Sequence, residues 1–207
     1  SKGPQRKALR RYAKDRYDQN IRYTDDHIGQ LLERMGPEAT VIIYSDHGES
    51  FWEPANKTLG HGRSLLEAEL AIPFILRAPG LKPARVKAPV SLVDIVPTLN
   101  ELYGLPSPTP DSPFAFDGQS LVALARGEDI EEAMGRPIAF GRTLFDDEGW
   151  GVVLNHNKWI TRSGKEQLFD LKRDPREQQD LSRSRSASLT SYHAALSEGL
   201  NMPVAKL

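Results

Sequence analysis

Between Arg10 and Met35 the residues Tyr17, Ile21, Thr24, Ile28, Leu31, Leu32 and Met35 recur at three- and four-residue steps. That spacing places them on one face of a long helix, which Gly36-Pro37 ends. Thr40-Val41-Ile42-Ile43-Tyr44 follows, an apolar, β-branched run without alternation. Such a run predicts a strand buried on both faces of a parallel sheet. Its carboxyl end is Ser45-Asp46-His47-Gly48-Glu49, and open α/β sheets bind ligands at the carboxyl ends of their strands.

Phe51 to Leu59 is irregular, then Gly60-His61-Gly62 leads into a short helical stretch from Ser64 to Leu70. Ile72 to Arg77 reads as a strand closed by Pro79-Gly80. Val93 to Tyr103 reads as a second amphipathic helix, with Asp94 near its start and Gly104 just past its end. Pro106, Pro108, Pro110 and Pro113 mark 105–116 as a loop. After Pro137 the pattern changes to short strand-like runs at 137–141, 150–154, 158–162 and 167–170, the signature of a small antiparallel sheet. Leu189, Tyr192, Ala195, Leu196 and Leu200 then return to helical spacing. The expected fold class is α/β over residues 1–136, followed by a small α+β unit over 137–207.

Composition removes several classes of function. The 207 residues hold 27 Lys and Arg against 28 Asp and Glu, a formal net charge of −1. That balance gives no electrostatic footprint for nucleic acid. No apolar run approaches the length of a membrane span. Ser1 to Lys14 is strongly basic but lacks the apolar core of a signal peptide, and it reads as a frayed or solvated helix start. There are no cysteines, so disulfides, thiolate metal sites and a cysteine nucleophile are all outside this chain.

The residues that can carry chemistry are few. Asp46 and His47 put a carboxylate and an imidazole side by side at a strand end, where both can face one divalent ion if the backbone turns at Gly48. The alternative is an Asp-His-Gly turn with a local side-chain hydrogen bond. His61 lies between two glycines, where an imidazole can donate to an anion; the alternative is a surface histidine on a loop. Arg63 is a candidate anion contact or a solvated arginine. Glu67 and Glu69 read as a solvated carboxylate pair on a surface helix. His27, His156 and His193 have no comparable setting.

Taken in order, Tyr17 to Leu32 (YDQNIRYTDDHIGQLL), Val41 to Glu49 (VIIYSDHGE), Leu59 to Gly80 (LGHGRSLLEAELAIPFILRAPG), Ser91 to Pro106 with Asp117 to Leu121, and Glu166 to Leu181 (EQLFDLKRDPREQQDL) resemble the sulfatases. These form a branch of the alkaline phosphatase superfamily. The resemblance implies part of an alkaline-phosphatase-like sheet with flanking helices. It makes 1–136 the C-terminal part of a catalytic domain carrying the edge of the metal site, and 137–207 a small C-terminal subdomain.

The resemblance also assigns roles. Asp46 and His47 would bind one divalent metal ion. Calcium is most usual in the family, often with Asn at the second position. His47 leaves manganese, magnesium or zinc open, because imidazole suits transition metals better. His61 would act catalytically and, with Arg63, contact the oxygens of a small sulfate- or phosphate-ester substrate. The family's nucleophile is a cysteine or serine matured to formylglycine in a Cys/Ser-x-Pro-x-Arg motif, which this chain lacks. Asp25-Asp26 and Asp146-Asp147 are its only adjacent aspartates, and neither pair falls at a strand end. The chain is thus expected to be the C-terminal half of a sulfuric ester hydrolase, inactive alone. Its missing N-terminal half, or a second copy, would cover the sheet edge left open. Two other readings remain open: phosphonate or phosphoester hydrolysis, or phosphoglycerol transfer, on the same fold, and a binding module without chemistry.

Overall fold

A computed structural model describes residues 2–55, 57–142 and 148–200. The chain divides into two compact units, Ser1–Gly80 and Leu81–Leu207.

The first unit opens with helix α1, Lys2–Met35, which starts well before the predicted Arg10. The basic run is not simply solvated. Arg6, Arg10 and Lys14 recur every four residues and form one contact face with Tyr17. Arg6 lies over the Trp52 ring at 5.5 Å, and Arg10 and Lys14 reach Glu53 at 3.5 and 3.6 Å. Tyr17 meets the Phe51 ring edge-on at 5.1 Å. The loop 51–53 is thereby tied to the helix. On the face marked by periodicity, Ile28 and Leu32 are partly covered, whereas Ile21, Leu31 and Met35 are exposed.

Strand β1, Val41–Tyr44, follows the helix as expected, but its partner corrects the parallel-sheet reading. It pairs antiparallel with β4, Phe74–Arg77, with Val41 opposite Arg77 and Tyr44 opposite Phe74. An apolar run without alternation reports burial of both faces, which is commonest in parallel sheets but does not fix the direction of each neighbour. Nor is either face sealed here: β1 is only partly covered, and Tyr44 and Ile75 are exposed. The Arg77 guanidinium donates to the Gly36 carbonyl at 2.9 Å, fixing β4 to the end of α1. Between β1 and β4 lie the short pair β2, Ser50–Phe51, and β3, Leu59–Gly60, and one turn of helix α2, Glu67–Leu70.

In the second unit a 3-10 turn, Leu92–Asp94, leads into α3, Ile95–Leu102. Asp94 is fully buried and satisfied on both oxygens. Its Oδ2 accepts from the Ser91 N–H at 2.8 Å, Oδ1 accepts from the Gln119 N–H at 3.0 Å, and the Arg136 guanidinium grips both. Thr98, also buried, donates to the Asp94 carbonyl and accepts from the Leu121 N–H. Asp94 and Thr98 thus draw the Gly118–Leu121 segment onto α3. Gly118 is required there, since a Cβ would sit 2.2 Å from the Val93 oxygen. Helices α4, Val122–Ala125, and α5, Ile130–Gly135, complete this half.

The meander β5–β8 follows, Ile138–Arg142, Gly149–Leu154, Asn157–Arg162 and Lys165–Asp170, all antiparallel. Helix α6, Leu189–Gly199, lays Tyr192, Ala195 and Leu196 on Val152, Trp159 and Leu168. The small antiparallel sheet with its helix is as the sequence predicts. Lys158, fully buried in β7, pairs with buried Glu177 at 2.8 Å and pins the segment after β8 to the sheet. Among the described residues no helix is long and apolar enough to cross a membrane.

Removing one partner of a buried pair strands the other charge and costs about 3–5 kcal/mol, whereas replacing both by apolar groups costs far less. Asp94→Ala is therefore expected to destabilise the second unit by about that amount in urea unfolding. Asp94→Leu combined with Arg136→Met should recover part of the loss.

Candidate functional site

The end of β1 turns at Ser45–Gly48. Ser45 Oγ donates to the His47 carbonyl at 2.7 Å, and the His47 N–H donates to Asp46 Oδ1 at 3.0 Å. A local side-chain hydrogen bond is therefore present, one residue on rather than the two of an Asx turn, and it uses only one carboxylate oxygen. His47 Nδ1 lies 2.8 Å from the Gly48 carbonyl. A carbonyl only accepts, so Nδ1 carries the proton and Nε2 presents its lone pair. That nitrogen lies 3.7 Å from Asp46 Oδ2. A backbone acceptor on the far ring nitrogen is how metal-ligating histidines are commonly oriented. Both side chains are accessible, 83% for Asp46 and 41% for His47. Two oxygen and nitrogen donors at this spacing suit one edge of a divalent-metal site. Among the described residues no set of three His, Asp or Glu gathers around an ion position.

His61 joins this pair. Its ring packs on that of His47 with centroids 3.9 Å apart and planes tilted by 31°. Its Nδ1 lies 3.2 Å from Glu49 Oε2. Gly60 and Gly62 take positive φ angles of 97° and 76°, which is why glycines flank this histidine. Glu49 had no assigned role in the sequence, although it closes the polar run after β1. Here it orients His61.

The loop that carries His61 and Arg63 is held by Glu69, which corrects the reading of a solvated carboxylate pair. Glu69 is 3% exposed. Its Oε1 accepts from Ser50 Oγ at 2.7 Å, and its Oε2 accepts from the backbone N–H groups of Arg63 and Ser64 at 3.1 and 3.2 Å. The Gly48 N–H donates to the Glu69 carbonyl at 2.8 Å. A Cβ on Gly48 would lie 2.3 Å from the Ala68 oxygen. Gly48 is therefore needed for close backbone approach, and its φ is not in the left-handed region. Arg63 lies exposed beside His61, with its backbone fixed and its side chain on the surface.

The other candidates lie on other elements and have other partners. His27 is on α1, with its ring stacked on Tyr23. His193 pairs with Glu166 at 2.8 Å, and His156 sits in the β6–β7 turn, both in the second unit. Asp25 and Asp26 are exposed on α1, and Asp146-Asp147 lies outside the described residues.

Hydrogen bonds to a charged acceptor contribute about 1.5–3 kcal/mol each. Glu69→Ala is expected to remove hydrogen-exchange protection from the Arg63 and Ser64 amides while leaving the β6–β7 amides protected. Mass-spectrometric hydrogen exchange checks this; unchanged protection at 63–64 would show that Glu69 does not hold the loop.

Comparison with known proteins covers the same ground. A family model described as Sulfatase matches residues 2–105. The chain is 28% identical over 171 residues to the uncharacterized sulfatase YidJ of Escherichia coli K12, covering 77% of this chain and 32% of that protein. It is 30% identical over 169 residues to the choline-sulfatase of Rhizobium meliloti, covering 78% and 31% respectively. The phosphonate monoester hydrolase of Agrobacterium radiobacter shares the fold, with TM-score 0.64 and 20% identity over 85% of this chain and 38% of that one. The chain spans about a third of the length of the curated relatives it matches. On the match of half its residues to the family model, together with these relatives, the chain belongs to the sulfatase family, within the alkaline phosphatase-like superfamily.

Proposed function

We propose that this chain is the part of a metal-dependent sulfuric ester hydrolase that supplies one edge of the metal site and an oxygen-facing histidine. The observation that carries this is the Asp46–His47–His61 cluster, three side chains brought together by Gly48 and Glu69 from segments that resemble the family's motifs. Asp46 Oδ2 and His47 Nε2 would hold a divalent ion. Such an ion supplies charge neutralisation at the sulfate oxygens. Calcium, manganese, magnesium and zinc are all compatible with a carboxylate and an imidazole, with the imidazole favouring the transition metals.

His61, oriented by Glu49, would act at the ester oxygens. With Nδ1 directed to the carboxylate, Nε2 is the nitrogen that faces substrate, donating a hydrogen bond or a proton to the leaving oxygen. Arg63 would add a positive charge for the anionic group. The nucleophile, a formylglycine in the family, would come from outside these 207 residues, which contain no cysteine. Supporting this, β1 and β4 form a two-stranded sheet among the described residues, and Ile21, Leu31, Met35 and Ile75 are exposed. The N-terminal part of a complete sulfatase, or a second copy of this chain, would cover such surfaces.

Phosphonate or phosphoester hydrolysis is the second reading. It rests on the similarity to a phosphonate monoester hydrolase and on the chemistry of the cluster, which suits tetrahedral oxyanions of sulfur or phosphorus.

The 207-residue chain alone is expected to turn over no aryl sulfate. A complete sulfatase polypeptide containing it should do so in a metal-dependent manner, with His61→Ala lowering kcat by about 10²–10⁴-fold. Faster turnover of an aryl phosphonate than of the sulfate would favour the second reading. Turnover by the 207 residues alone, abolished by His47→Ala, would contradict the proposed division of the site.

A further inference from the structure

The β6–β7 turn is Asn155–His156, both residues left-handed with φ of 48° and 65°. The chain that leaves β8 folds back against it, the Leu171 N–H donating to the His156 carbonyl at 2.8 Å. Between them opens a cavity of about 550 Å³, within the range of small-ligand sites. Lys172, Arg173 and Arg185 line it together with Asn155 and Asn157, and its single acidic residue is Asp170.

The acidic residues of this region are all engaged within the chain. Asp170 Oδ1 accepts from the backbone N–H groups of Lys172 and Arg173. Asp174 accepts from the Gln179 N–H, Asp180 from the Leu168 and Ser182 N–H groups, and Glu177 is buried against Lys158. Residues 170–185 hold five cations and four carboxylates; Asp170, Asp174 and Asp180 staple turns, and Lys172, Arg173 and Arg185 line the cavity. Arg173 is 83% exposed and only 3.8 Å from Asp170 Oδ2, a weak contact. Arg185 reaches Asn157 Oδ1 at 3.4 Å, at the cavity wall, and no carboxylate pairs with Lys172 or Arg185 among the described residues. Three cations and two carboxamides around one largely committed carboxylate form a recognition surface for oxyanions.

We infer that this cavity is a binding site for a small oxyanion in the second unit, formed by residues other than those of the Asp46–His47–His61 cluster. Arg185 and Lys172 supply the charge and the Asn155 amide a directional donor; the Asn157 amide already donates to the Asn155 carbonyl at 3.1 Å, which leaves its second N–H for a ligand. The inference stands on the second unit alone and does not depend on which residue attacks the ester.

The test is an NMR titration of the isotope-labelled 207-residue chain, at constant ionic strength, with N-acetylglucosamine 6-sulfate, unsulfated N-acetylglucosamine and inorganic sulfate. The Arg185 Nε–H and the Asn155 and Asn157 side-chain amides should shift with the sulfated sugar and not with the unsulfated one. Tighter binding of the sulfated sugar than of inorganic sulfate assigns a sugar-borne anion; equal binding assigns a free oxyanion at the same site. Arg185→Gln should weaken binding by about tenfold, the loss of one charged hydrogen bond. Lys172→Gln, with no side-chain partner to disturb, should weaken it without altering the remaining spectrum. No shift at these residues, an equal response to the unsulfated sugar, or full binding by both variants would overturn the inference.

Discussion

The candidate site depends on a buried carboxylate, that of Glu69. Taking an ionised carboxylate out of water costs several kcal/mol unless donors replace the solvent. Here the donors are Ser50 Oγ and the N–H groups of Arg63 and Ser64. Each comes from a segment that must be placed: Ser50 from the strand just after the Ser45–Gly48 turn, Arg63 and Ser64 from the loop carrying His61. Satisfying one charge therefore fixes the distance between two segments far apart in sequence. The stacking of His61 on His47 follows from that distance, and Gly48 permits it by leaving room for the Ala68–Glu69 backbone.

The second unit uses the same device. Asp94 is buried at the start of α3 and gathers a turn N–H, a distant loop N–H and an arginine from beyond α5. Asp170, Asp174 and Asp180 do so near the surface, closing turns with backbone donors. Several carboxylates of this chain thus organise loops through backbone donors, some of them while also pairing with a cation. At the β6–β7 turn this leaves Lys172 and Arg185 without a carboxylate partner among the described residues, which a net charge of −1 does not reveal.

Local pattern made much of this legible. The long helix, the strand at 41–44, the helix beginning near Asp94 and the antiparallel meander with its final helix all have strong periodicity or clear punctuation. Asp46, His47 and His61 were legible because a polar run at a strand end and a histidine between glycines are unusual settings. The upstream extent of α1 was not, because Arg6, Arg10 and Lys14 read as solvated charges until Trp52 and Glu53 supply their partners. The antiparallel pairing of β1 was hidden because its unbroken apolar run is the pattern commonest in parallel sheets, while the direction of a given neighbour is set by the tertiary fold. Glu69 looked like an ordinary surface carboxylate and Glu49 carried no assigned role, since burial and partners across 19 and 12 residues are tertiary facts. The four- and six-residue helices α4 and α5 are too short to show a period.

The most direct measurement follows the imidazole nitrogens of His47 by NMR as Zn²⁺ or Ca²⁺ is added to the chain. The account predicts that Nδ1 stays protonated against the Gly48 carbonyl, while the Nε2 signal and the Asp46 carboxyl carbon move together. Loss of both responses in Asp46→Asn would support a shared ion. A metal response confined to other histidines, with Asp46 and His47 unmoved, would contradict the claim that this strand end is the edge of a metal site.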